Sequence, residues 1–369
     1  ALIFWKRREC RERQHSILSL HVQVAAFAAT AVALISLPAL SLIVRLYGID
    51  PSQASAARHY LCAGLLNMVL AAAYAPINVL LIASDQRMKS VINISLILAI
   101  KLAAGLLALK MASPTSLNLP LLVIALGGTL AISILSASAS ADVRRHSSGK
   151  LPFAFADMRS VWTSELGTAA IRSSSPFLYS YLLVRSAGGS SLLVTYQLTL
   201  HMAYILTLPQ LAGTQLAVRD ASEEHSLNEM PAGLLDSEWF RWFFAVCVLP
   251  TQVLLLLGSV MAVPLMFMFY GYTVPPEHAP FLALYFIACA VGQIGNIFMV
   301  VLRALRKNEV GTRNFFIAEI GVMVLATGGA VWLGVATPRI LGLIVLAYCA
   351  TYLTLNWTAI RAVRLEVIA

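Results

Sequence analysis

The sequence predicts an all-α membrane protein of about ten membrane-spanning helices, and three observations carry that expectation. Hydrophobic residues make up 59% of the 369 and charged residues 12%, with a mean hydropathy of +0.80. A soluble domain carries roughly 25% charge, so half that supply cannot clothe a water-facing surface. The apolar runs are about 20 residues or longer, which is the length of a helix crossing hydrocarbon. They lack the alternation of a barrel strand. Finally, the basic residues gather at the ends of these runs on alternate loops.

Taken in order, the runs fall at 16–46, 58–84, 90–111, 118–141, 162–186, 191–218, 240–269, 279–304, 313–334 and 339–363. Pro38, Pro76, Pro209, Pro250 and Pro264 lie within them. A proline inside a membrane helix makes a kink, because neighbouring groups re-satisfy the freed carbonyl. Lys6, Arg7, Arg8, Arg11 and Arg13 precede the first run. Arg87 and Lys89 join the second to the third. Arg144, Arg145, Lys150 and Arg159 join the fourth to the fifth, and Arg303, Arg306, Lys307 and Arg313 the eighth to the ninth. Arg361 and Arg364 close the chain. The intervening loops at 47–57, 112–117, 186–190, 270–278 and 335–338 are nearly bare of basic residues. Such one-sided enrichment places both termini in the cytoplasm, at a plasma or inner membrane. The loop before the seventh run is acidic (Asp220, Glu223, Glu224, Glu229, Asp236, Glu238). Acidic residues count little in that rule.

The net charge of +9 is accounted for by these helix ends, which argues against a nucleic-acid partner. The five cysteines form no CxxC, and four of them lie inside apolar runs, so neither a disulfide framework nor a zinc site is expected. No phosphate-cradling GxxxxGK[ST] occurs, and no HExxH or GxSxG. The chain is therefore not expected to be an enzyme or to bind a cofactor. Its partners would be the bilayer and a small amphipathic solute or lipid-linked sugar, and it would act as a monomer. Energy would come from an H⁺ or Na⁺ gradient.

The chain also repeats itself. Leu46-Tyr47-Gly48 matches Phe269-Tyr270-Gly271, Pro51 matches Pro275 and Pro276, and Tyr60 matches Tyr285. The turns Ser84–Lys89 and Arg306–Thr312 correspond, as do Ala104-Gly105 and Thr327-Gly328. A parallel repeat of this kind is the mark of a duplicated transporter half. It divides the chain into a four-helix lobe, 1–149, and a six-helix lobe, 150–369. Two helices precede the repeat in the second lobe and none in the first. The chain opens on Ala1, so the expectation is a six-plus-six protein whose first two helices are missing here.

Local sequence narrows the choice. Leu182-Leu183-Val184-Arg185-Ser186-Ala187-Gly188-Gly189, then Tyr196-Gln197-Leu198-Thr199 and Ala217-Val218-Arg219-Asp220-Ala221-Ser222, resembles the opening helix pair of a lobe in the multidrug and toxin extrusion (MATE) family. The turn at Tyr47–Leu61 resembles it too. That family belongs to the multidrug/oligosaccharidyl-lipid/polysaccharide flippase (MOP) superfamily. The resemblance implies a secondary transporter that exports an amphipathic, cationic solute by H⁺ or Na⁺ antiport through alternating access. A lipid-linked oligosaccharide or polysaccharide flippase is the second reading, and a non-transporting membrane scaffold the third.

Ionisable groups inside spans are the first candidates for chemistry, because a central charge costs roughly 2.5–3.5 kcal/mol on insertion scales. Glu319 is placed to bind a proton or a cation, since a carboxyl stripped of water favours its neutral or paired form. Arg172 shares a helix face with Ser175 and Tyr179 and could recognise an anionic group. Lys101 shares a face with Asn93. Polar stripes follow: Gln197, His201 and Tyr204; Asn67, Tyr74 and Asn78; Gln293 and Asn296. The expected ion-coupling residues are Glu319 and His201. The expected substrate-binding residues are Arg172, Tyr179, Gln197, Tyr204, Asn67, Lys101, Gln293 and Asn296. Packing and interhelical hydrogen bonds explain most of these residues nearly as well.

Overall fold

The computed structural model divides by proximity into two compact units, Ala1–Ala154 and Phe155–Ala369. It describes part of 29–69, scattered positions from 92 to 127, and then 175–176, 178–186, 188–226, 237–305 and 307–368. Every regular element among the described residues is helical. In the first unit the longest described stretch is α1, Ser36–Arg45. Asn67, Tyr74, Asn78, Asn93, Lys101 and Arg172 lie outside the described residues.

The second unit is built from α2 (178–184, with 175 and 176 helical just before it), α3 (Gly189–Ser226), α4 (Glu238–Tyr270), α5 (Ala279–Ala304), α6 (Asn308–Trp332) and α7 (Pro338–Ile368). Five stretches are long and apolar enough to cross a membrane: Gly189–Val218, Glu238–Tyr270, Pro276–Ala304, Asn308–Trp332 and Pro338–Ala362. The chain is a multi-pass membrane protein. These stretches reproduce the runs read from hydropathy, with the ends shifted. α3 continues past Val218 through Asp220, Glu223 and Glu224. A helix leaving hydrocarbon keeps its internal hydrogen bonds in water, so polarity alone does not end it. α6 begins at Asn308 rather than 313, which puts Glu319 three turns in rather than two.

α5 is the central helix, packed against α7, α4 and α3. In a lipid solvent two helices approach closely where side chains are small. A Cβ at Gly295 would stand 2.8 Å from Tyr352 Cδ1, and one at Gly292 3.2 Å from Cys349 Sγ. Farther along the seam a Cβ at Gly342 would stand 2.9 Å from Leu284 Cβ. Glycines on both helices thus let α5 and α7 nearly touch. α4 lies at the edge, with Val260, Phe267 and Met268 exposed. It ends at Gly271 in the left-handed region (φ 61°), where the Gly271 N–H donates to Phe267 O at 2.8 Å. Glycine takes that conformation without a Cβ clash.

Two stretches depart from regular α geometry. Phe244–Val248 and Ile317–Val324 are π-helical, the first just before Pro250 and the second around Glu319. π-turns are rare and concentrate at functional sites.

A candidate cation site around Glu319

Five elements of the second unit converge on one cavity of about 290 Å³. α2 supplies Pro176 and Tyr179, and α3 supplies Tyr196 and Leu200. α5 supplies Tyr285, Cys289, Gly292, Gln293 and Asn296. α6 supplies Phe315, Glu319 and Met323, and α7 supplies Val345, Tyr348, Cys349 and Tyr352. Each set follows the three-and-four spacing that puts residues on one helical face. The cavity forms because α5, α6 and α7 turn these faces toward one another.

Among the described residues of this lining Glu319 is the one that carries a formal charge, and it is 6% exposed. Ser175, itself buried, donates its hydroxyl to Glu319 Oε1. Tyr348 on α7 lines the cavity beside it. Hydrogen bonds to a charged group contribute about 1.5–3 kcal/mol, against about 1 for neutral pairs. The Ser175 hydroxyl thus offsets part of the penalty of burying a carboxylate. Opposite the carboxylate the wall is aromatic. Tyr179 and Tyr196 meet edge to face at 5.1 Å between centroids, and Tyr196 and Tyr285 at 5.9 Å. Phe315 and Tyr352 meet at 5.9 Å. Such pairs contribute about 0.5–1.5 kcal/mol each beyond area burial and hold the rings in fixed orientations.

The polar corner of the cavity is a hydrogen-bonded chain. Tyr352 Oη donates to Asn296 Oδ1 at 3.3 Å, and Asn296 Nδ2 donates to Gln293 Oε1 at 3.1 Å. Buried Gln210, next to Pro209 on α3, donates through Nε2 to Gln293 O at 2.7 Å. The Tyr179 hydroxyl, on a fully buried side chain, has no hydrogen-bond partner among the described residues.

The structure brings Glu319, Tyr179, Gln293 and Asn296 together. It does not bring the stripe on α3 to them. Gln197 is half-buried and donates to Ser180 Oγ at 3.2 Å, while His201 is exposed and Tyr204 is 61% exposed. The cavity face of α3 is instead the neighbouring row, Tyr196 and Leu200. Tyr348, Tyr196, Tyr285 and Tyr352 were not singled out by the sequence as site residues. Their one signal is the i, i+4 spacing of Tyr348 and Tyr352 in an otherwise aliphatic run. Chemically, a buried carboxylate beside a hydroxyl donor and ring faces suits a proton or a monovalent cation. Ring faces attract organic cations as well.

Solved structures share this architecture. The eukaryotic MATE transporter AtDTX14 matches 97% of this chain over 81% of its own, with a TM-score of 0.69 and 14% identity. The chain has the MATE-type transporter fold. A MOP superfamily transporter from Pyrococcus furiosus Vc1, whose binding pocket is described as having reverse polarity that suggests a different function, matches 94% of this chain over 78% of its own (TM-score 0.68, 11% identity). A multidrug resistance MATE family transporter of the MOP superfamily, in its inward-facing conformation, matches 94% over 80% (TM-score 0.66, 11% identity). No family model matches the sequence, and neither does any curated protein.

Proposed function

We propose that this MATE-fold chain is a secondary active transporter that exports an amphipathic cationic solute in exchange for H⁺ or Na⁺. The observation that carries the reading is Glu319, a buried carboxylate that is the one formal charge among the described residues of an aromatic-walled cavity. Pocket polarity is the property to weigh, since a transporter of this fold is described as having it reversed. Here the described lining is acidic and aromatic, with no Lys or Arg in it. A coupling ion and a cationic solute would compete for the one carboxylate. Competition couples the two ligands, and exchange follows if each binds the two access states with different affinity, since only such a difference shifts a conformational equilibrium. Alternating access would be the accompanying mechanism, with the ion held inside the second lobe.

The cavity's size supports the same reading. A volume of about 290 Å³ lies at the low end for small-molecule sites. That is room for an ion or one cationic group. The flippase reading rests on Lys101 and Arg172, which lie outside the described residues.

The test is efflux of a cationic dye from proteoliposomes holding the full-length protein, under an imposed H⁺ or Na⁺ gradient. Gradient-driven efflux that disappears in Glu319→Gln supports the reading. Efflux that survives the substitution unchanged sinks Glu319 as the coupling group. A parent protein that moves no dye under either gradient sinks cation export itself.

A further inference from the structure

A second buried polar cluster lies outside this cavity. His278 ends the turn that leads into α5 and is 2% exposed. Its Nδ1 lies 2.9 Å from Thr195 Oγ1 on α3. The same oxygen lies 3.0 Å from the Tyr272 hydroxyl and 3.1 Å from Ser191 O. A hydroxyl has one proton to give and two lone pairs to offer. Ser191 O can only accept, so the Thr195 proton goes to it. Both remaining partners must then donate, which puts a proton on His278 Nδ1. That leaves Nε2 as the nitrogen that gains and loses a proton.

Nε2 points at the turn between α2 and α3, 3.4 Å from where a Cβ on Gly188 would stand. One turn after His278 comes Phe281, whose ring meets Tyr196 at 6.4 Å and Tyr285 at 5.9 Å. Both tyrosines are walls of the Glu319 cavity. The cluster therefore sits on the far side of an aromatic layer from the carboxylate. On the orientation that the basic loops predict, that side faces away from the cytoplasm.

We propose that His278 is a proton-exchange site at the outer end of the cavity, oriented by Thr195 and Tyr272 and exchanging at Nε2. A proton taken from the outer solution sets a positive charge one aromatic layer from the cation site, which weakens that site's hold on a bound cation while it is open to that solution. The proposal rests on the cation-export reading for its consequence, though not for its chemistry. Among the described residues, the other titratable or charged groups at the element ends around the turn are Tyr270, Tyr272 and Glu277 on the α4 side, Arg185 where α2 ends, and Arg339 on the first turn of α7, while Tyr196 and Tyr285 lie beyond Phe281. Glu277, Arg185 and Arg339 are exposed.

Two measurements on the full-length protein test this. The first is dye efflux at fixed inner pH while the outer pH is stepped over roughly 5–8, where imidazole titrates. In His278→Gln, whose amide can still donate to Thr195, the dependence on outer pH should flatten, and residual efflux should exceed that of Glu319→Gln. An outer-pH profile identical to the parent's overturns the proposal. The second is nitrogen NMR of His278 in lipid nanodiscs. The neutral ring should carry its proton on Nδ1 and titrate at Nε2. Thr195→Val should abolish that tautomer preference and Thr195→Ser should retain it. A neutral ring protonated on Nε2, or one that does not titrate over the same window, overturns the proposal. The NMR result stands even if the parent exports no dye, so failure of the export reading remains separable.

Discussion

At Glu319 the Ser175 hydroxyl shapes what the carboxylate can do. If the carboxylate rests ionised, the Ser175 hydrogen bond is a charged one worth about 1.5–3 kcal/mol. Ser175→Ala should then weaken cation binding by about tenfold or more, at 1.4 kcal/mol per decade. If the bond is an ordinary interhelical contact, about 0.6 kcal/mol gives roughly threefold. A titration of cation-protected thermal stability, comparing the parent with Ser175→Ala, separates the two, with Tyr348→Phe as the packing comparison. Tyr179 behaves differently, because its buried hydroxyl has no partner among the described residues. Removing an unsatisfied polar group is nearly neutral or stabilising. Tyr179→Phe is therefore expected to leave the melting temperature unchanged or slightly higher while weakening solute binding. A clear drop in melting temperature would mean that the hydroxyl is structurally engaged. Glu319 was legible in the sequence because an acid inside an apolar run is costly and conspicuous. The tyrosines around it were not, since a tyrosine in a membrane helix is as readily a packing residue, and only the facing helices turn it into a wall. The α3 stripe shows the same limit. Spacing showed that Gln197, His201 and Tyr204 share a side, but whether that side meets the cavity depends on α3's rotation against α2 and α5.

At the scale of the helix, hydropathy located the five described spans of the second unit well because crossing hydrocarbon imposes both length and composition. The π-helical stretch Ile317–Val324 was hidden. An extra residue in a turn changes which carbonyl each N–H meets without changing the residues' polarity. The stretch matters because a register shift at Glu319 alters which face the following residues present. The tight α5–α7 seam is a separate matter of volume. Gly295→Val puts a branched side chain where a bare Cβ is already 2.8 Å from Tyr352. Overpacking of this kind is expected to destabilise by about 1–3 kcal/mol and to disturb the Tyr352 to Asn296 bond. Gly321→Ala is the matched control, since nothing lies within 4 Å of its Cβ position. Thermal unfolding in detergent should show a clear loss for the first and almost none for the second. Equal losses would place the weakness in helix propensity rather than in the seam.

At the scale of the whole molecule, orientation links the two proposals, because it decides which solution each site meets. The argument for it is electrostatic: basic loops resist translocation, so the loop holding Arg303, Arg306 and Lys307 should stay cytoplasmic. The connection holding Thr273 and His278 lies one membrane crossing away, at the opposite end of α5, and should therefore face outward. Thr273 and Glu309 are both exposed and sit at these two ends. Single cysteines placed there in a cysteine-free version of the protein should label asymmetrically in right-side-out vesicles with a membrane-impermeant maleimide. Thr273→Cys should react at once, and Glu309→Cys only after permeabilisation. The reverse pattern would place His278 in contact with the cytoplasm. A proton gained there would come from the inner solution, so the same cluster would weaken the site's hold on a cation while it is open to the cytoplasm, and the chain would be read as an importer.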